Sequence, residues 1–139
     1  MGAGRGWNAD VYHRVSAPQV AMATAVLDRL ELDGDETVLD AGCGSGRVTR
    51  LLLERLPRGR VIAVDASPDM VARARDELRG AAADVREADL AALALVEGEQ
   101  VDAIFSNATF HWVPDHDALF AALAAALRRG GRISAQCGG

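Results

Sequence analysis

At 139 residues the chain has the length of one domain with one core and is too short for two. Half of its residues are hydrophobic and a quarter are charged, an ordinary globular composition that excludes wholesale disorder. The net charge of -5, with 15 scattered cations that are all arginine, leaves no basic field for a phosphate backbone, so nucleic acid is not expected as a partner. The absence of lysine and the abundance of alanine read as the drift of a GC-rich bacterial genome. Cys43 and Cys137 lie far apart with no apolar leader ahead of them, so a reducing cytoplasm without disulfides is expected. The longest apolar run, residues 118–127, is too short to cross a bilayer.

In chain order, the first predicted helix opens near Pro18, carries Val20, Ala23, Leu27 and Leu30 on one face, and stops at Asp33-Gly34-Asp35. Residues 37–40 read as a strand. Beyond the glycines, Val48, Leu51, Leu52 and Leu56 mark an amphipathic helix ended by Pro57 and Gly59. Residues 61–64 form a buried strand, and Ser67-Pro68 opens a helix with Met70, Val71, Ala74 and Leu78 at helical spacing. A weak strand over 84–87 precedes a helix or loop over 90–98. A clearer strand over 101–105 follows. Asp115 and its neighbours then cap a helix holding Leu119, Phe120, Leu123 and Leu127, and Gly130-Gly131 leads into a fifth strand over 132–136. This alternation predicts an α/β, Rossmann-like three-layer sandwich: a parallel sheet of about five strands, order 3-2-1-4-5, with helices on both faces. The single unit 1–139 divides into an N-terminal cap segment, 1–31, and a core, 32–139.

The stretch Val38-Leu39-Asp40-Ala41-Gly42-Cys43-Gly44-Ser45-Gly46 is an apolar strand running into three glycines and then a helix. Glycine permits positive φ and close approach of backbone to a ligand, and the helix offers unpaired N–H groups. A dinucleotide-binding Rossmann domain for NAD(P) is the competing reading, but its third glycine belongs where Arg47 stands. Asp40, beside the loop, would repel a pyrophosphate and attract the ammonium and sulfonium of S-adenosylmethionine. Asp65, 23 residues after Gly42, suits a ribose diol. Asp89 suits the exocyclic amine of adenine, with a helix cap as the alternative.

On these residues the chain resembles the class I S-adenosylmethionine-dependent methyltransferases, most of all the small-molecule branch that includes trans-aconitate methyltransferase. The resemblance implies that Asp40, Gly42, Cys43, Gly44 and Gly46 bind the methionine portion. It places Asp65 and Ala66 at the ribose, and Met70, Ala88, Asp89 and Leu90 at the adenine. Asn107 falls at the reactive end. The segment Trp7-Asn8-Ala9-Asp10-Val11-Tyr12, with Ser16 and Gln19, resembles the piece that closes over the cofactor, which adds Tyr12 and Gln19 to the set. S-adenosylhomocysteine is the implied product.

The segment Ser106-Asn107-Ala108-Thr109-Phe110-His111-Trp112 falls where the acceptor sits in such enzymes. It departs from the Asn-Pro-Pro-Tyr-like segment of amide and exocyclic-nitrogen methyltransferases, which favours an oxygen, carbon or carboxylate acceptor on a small molecule. Phe110 and Trp112 are candidate substrate contacts. His111 is the candidate base, with an orienting or packed histidine as the alternative. Asp115-His116-Asp117 is read as capping and dipole pairing, so no metal is expected. The family fold continues past the fifth strand with a helix and an antiparallel hairpin, which 1–139 lacks. A piece of a longer enzyme is therefore expected, or a fifth-strand edge that pairs with a second copy. A cofactor-holding or regulatory module without turnover is the alternative to an active enzyme.

Overall fold

A computed structural model of the chain describes residues 17–92, 99–107 and 115–136. Helix α1 (Ala17–Leu30) leads into strand β1 (Thr37–Ala41), helix α2 (Arg47–Glu54), strand β2 (Arg60–Asp65), helix α3 (Pro68–Glu77) and strand β3 (Ala83–Glu87). A 3₁₀ turn at Leu90–Ala92 follows. Strand β4 (Val101–Asn107), helix α4 (His116–Ala126) and strand β5 (Leu127–Gln136) complete the described chain. The five strands form one sheet of order β3-β2-β1-β4-β5, every pair parallel, as the alternation predicts.

Alternate strand residues point to opposite faces of a sheet, and the two faces carry separate cores. Val38, Val61, Ala63, Ala103 and Phe105 meet Ala23, Val26, Leu27 and Leu30 of α1, Leu51 and Leu52 of α2, and Val71 and Ala74 of α3. On the other face Leu39, Ala41, Ile62, Val64 and Ile104 meet Leu90, Leu119, Leu123 and Ala126. Both sides of β1 and β2 are thus dry, which explains why those strands read as nearly continuous apolar runs.

Local signals place the elements that matter for the site. Ser67 caps α3 by accepting from Met70 N at 3.3 Å, with Pro68 in the first turn. Asp115 caps α4 by accepting from Ala118 N at 3.0 Å, the capping geometry expected of that acidic cluster. The hydroxyls of Ser106 and Ser134, both buried, donate to Ala41 O at 2.8 Å and Val26 O at 2.7 Å, tying β4 to β1 and β5 to α1.

Three sequence expectations need correction. Strand β4 runs two residues further, to Asn107, because the Ser106 hydroxyl finds a carbonyl partner across the sheet. Strand β5 begins at Leu127 rather than 132: its register shifts between Val101↔Leu127 and Ala103↔Arg132, and Gly130, at φ 82°, lies in the irregular stretch. Phe120 is not on the buried face of α4. It is 50% exposed, edge-on to His116 at 6.2 Å between ring centroids, while Leu119, Leu123 and Ala126 form the inner face. Among the described strands β5 pairs with β4 alone.

The orientation of α4 is testable by urea denaturation. Leu123→Ala should cost about 2–5 kcal/mol by opening a cavity, and Phe120→Ala less than about 1 kcal/mol. Equal costs would contradict the burial pattern.

Candidate functional site

Because all strands are parallel, their carboxyl ends share one edge of the sheet. The chain order turns outward in both directions from β1, so the crevice beyond β1 is the switch point where open α/β sheets bind ligands. The glycine loop occupies that place. Gly42, Gly44 and Gly46 have φ of 82°, 56° and 86°. The N–H groups of Gly42 and Cys43 both donate to Val64 O, at 2.8 and 2.9 Å, which curls the loop over the end of β2.

The glycines do different work. A Cβ on Gly46 would stand 3.2 Å from the Leu78 side chain and 3.3 Å from the Ala74 Cα, so this glycine lets the start of α2 lie against α3. A Cβ on Gly44 would meet nothing within 4 Å. The loop therefore presents an open backbone face at Gly44, with room for a ligand.

Two carboxylates border the loop. Asp65 is half-buried at the end of β2. Its Oδ2 accepts from Gly44 N at 2.9 Å and its Oδ1 from Ser67 N at 2.9 Å. Each oxygen uses one of its two lone-pair directions, leaving capacity for a hydroxyl pair. Asp40 is only 2% exposed and accepts from the Thr49 hydroxyl at 2.6 Å. Burial pushes its carboxyl up to about 7; the Thr49 hydrogen bond draws it back and the charge of Asp65 adds to the rise. Burial, reinforced by Asp40 and Asp65, also lifts the Cys43 thiol far above its ordinary range, so this buried cysteine stays protonated.

The other residues expected at the site divide into three groups. Ala66, Ala88 and Asn107 stand at the carboxyl ends of β2, β3 and β4, and Ala88 N donates to Asp65 O at 3.0 Å. Met70 lies half-buried in the first turn of α3, lining a groove with Ser45, Arg47 and Arg73. Asp89 is exposed, and its Oδ1 accepts from Ala91 N at 3.0 Å at the start of the 3₁₀ turn. The Leu90 side chain belongs to the sheet core, which leaves only its backbone for a ligand. Gln19 is exposed on the first turns of α1. Tyr12, Phe110, His111 and Trp112, like Cys137, lie outside the described residues.

Two features escaped the sequence reading. Thr49 is fully buried beneath the loop, although its neighbour Val48 fits the apolar pattern better. Its spacing to Leu52, three residues on and also buried, was the available signal. Arg50 reaches from α2 to Glu77 at the end of α3, pairing with its side chain at 2.6 Å and with its backbone carbonyl, a clamp across the same helix contact that Gly46 permits.

An open parallel sheet with a positive-φ glycine loop at its switch point and an acid ending β2 defines a Rossmann-like α/β domain. The chain belongs to the family described as methyltransferase domain, which matches residues 38–131. It is 38% identical over 130 residues to trans-aconitate 2-methyltransferase of Paracidovorax citrulli, covering 94% of this chain and 49% of that protein. The chain thus spans about half the length of the curated relatives it matches. Among solved structures, an S-adenosylmethionine-dependent methyltransferase from Mesorhizobium loti superposes with a TM-score of 0.70 at 31% identity, covering 79% of this chain and 50% of that one. An S-adenosylmethionine-bound amino pentose methyltransferase from Micromonospora echinaspora gives 0.74 at 25% identity, covering 96% and 56%.

The unequal roles of the glycines predict unequal costs. Gly44→Ala should lose about 1–2 kcal/mol from its left-handed backbone alone, whereas Gly46→Ala adds the clash with α3 and should lose about 2–5 kcal/mol. Thermal unfolding in which Gly44→Ala proves the more damaging would refute this division.

Proposed function

We propose that this chain is the cofactor-binding core of an S-adenosylmethionine-dependent methyltransferase acting on a small molecule, at a carboxylate or hydroxyl oxygen. The observation that carries the reading is the open backbone face of Gly44 set beside Asp65, whose two oxygens keep acceptor capacity. The residues fit the cofactor's parts: the open face of the glycine loop and Asp40 for the amino-acid end, Asp65 for the ribose, and Met70 with the 88–90 segment for the base. Membership of the methyltransferase family and the S-adenosylmethionine dependence of two structural neighbours support it.

When bound, S-adenosylmethionine supplies a methyl group already activated on a sulfonium. The chain's own residues then have little chemistry to perform beyond alignment. Asp65 and the loop hold the donor at the sheet edge, and the segment after β4, with Phe110 and Trp112, positions the acceptor and excludes water. Such positioning is worth about 7–11 kcal/mol in well-oriented systems. The relatives' name points to an acid such as trans-aconitate as the acceptor class. A carboxylate is ionised at neutral pH and needs no base, which leaves His111 an orienting role; a hydroxyl acceptor would require it as base.

Calorimetric titration tests the reading. S-adenosylhomocysteine should bind and NAD should not, and Asp65→Ala should weaken binding on the order of tenfold to a hundredfold by removing the acceptor for a hydroxyl pair. Heat with NAD alone, or unchanged affinity in a folded Asp65→Ala variant, would sink it.

A further inference from the structure

The buried pair of Asp40 and Thr49 is not explained by packing. A β-branched residue at position 49 could fill its space as valine. A helical threonine ordinarily satisfies its hydroxyl on a carbonyl three or four residues back in its own helix. Here the hydroxyl leaves α2 and donates to a carboxylate on β1, at 2.6 Å, the length of a charge-assisted O–H···O bond. Both partners are almost completely removed from water, Thr49 at 0% and Asp40 at 2% exposure. They join the strand before the glycine loop to the helix after it.

We propose that Thr49 is a positioning residue for the cofactor loop: by donating to Asp40 it sets the charge state of the acid beneath the loop, and through it the affinity for a cationic ligand. The inference rests on the cofactor reading above and adds proton linkage to it. The ionisable groups facing Asp40, among the described residues, are Asp65 at the end of β2 and the Cys43 thiol in the loop. Neither supplies a positive charge, so the Thr49 hydroxyl is the group that favours the ionised form. With Asp40 titrating at about 7, the acid is largely neutral at pH 6 and largely charged at pH 8. A ligand carrying an ammonium group binds the charged form better, so affinity rises with pH through this window.

The same titration has a ligand-free signature. A carboxyl whose folded value lies above its ordinary 3.8 binds more protons folded than unfolded, so its contribution to stability falls as pH climbs from about 4 to 7 and then levels. In Asp40→Asn that component disappears. The difference in stability between this variant and the parent should therefore grow in the variant's favour between pH 5 and pH 8.

The experiment is titration with S-adenosylhomocysteine at pH steps from 5.5 to 8.5, with the pH dependence of unfolding measured alongside, for the parent chain and for Thr49→Val, Thr49→Ser and Asp40→Asn. The parent should gain affinity through this range. Thr49→Val should displace the rise upward by about one pH unit, the scale of one hydrogen bond to a charged group, so that affinity at pH 7 drops roughly fivefold. Thr49→Ser should restore the parent profile, and Asp40→Asn should flatten it. Binding with the same midpoint in Thr49→Val as in the parent, or a flat parent profile, overturns the inference while leaving the cofactor reading intact. No binding at any pH overturns the cofactor reading and this inference with it.

Discussion

The Asp65 carboxylate holds the site together. It ends β2, accepts from Gly44 N on one side and from Ser67 N on the other, and so pins the glycine loop and the start of α3 to the same sheet edge. A backbone with three positive-φ glycines is costly to order, and an unanchored loop of this kind would sample many shapes. Two loop amides, Gly42 N and Cys43 N, donating to Val64 O of β2, and one carboxylate remove that freedom. What results is a rigid rim with one open face, at Gly44.

Around that rim the helices are fastened for the same end. Gly46 lets α2 lie against Leu78 and Ala74, Arg50 grips Glu77, and Thr49 bonds Asp40 from below. Three different interactions thus fix a single helix that follows the loop. Burying Asp40 has an electrostatic cost, visible in its raised titration, and a core built only for stability would use a neutral residue there. Under the proposed reading, a cationic ligand bound above the loop would offset that cost.

Much of this was legible in the order of residues. The strand-glycine-helix stretch at 38–46 and the Ser67-Pro68 start announce themselves by periodicity and turn chemistry, and both lie where expected. Polarity misled elsewhere. Ser106 looks like the end of a strand but extends it, because a carbonyl across the sheet satisfies its hydroxyl. Thr49 looks like a surface residue but is buried, because Asp40 accepts the hydrogen bond of its hydroxyl. Phe120 looks like core and is half exposed, since α4 is apolar nearly all round and composition alone could not say which stripe faces the sheet. Asp89 had two roles compatible with one sequence, and only the geometry placed its oxygen on Ala91 N.

The central claim is that the glycine loop and Asp65 together form the cofactor seat. Backbone amide spectra of the nitrogen-15-labelled chain, titrated with S-adenosylhomocysteine, test it at the atoms concerned. Saturable shifts concentrated at Gly42, Gly44, Gly46, Asp65 and Ala88, with the β5 edge undisturbed, are predicted. Shifts confined to β5 or α4, or a spectrum unmoved at saturating ligand, would contradict it.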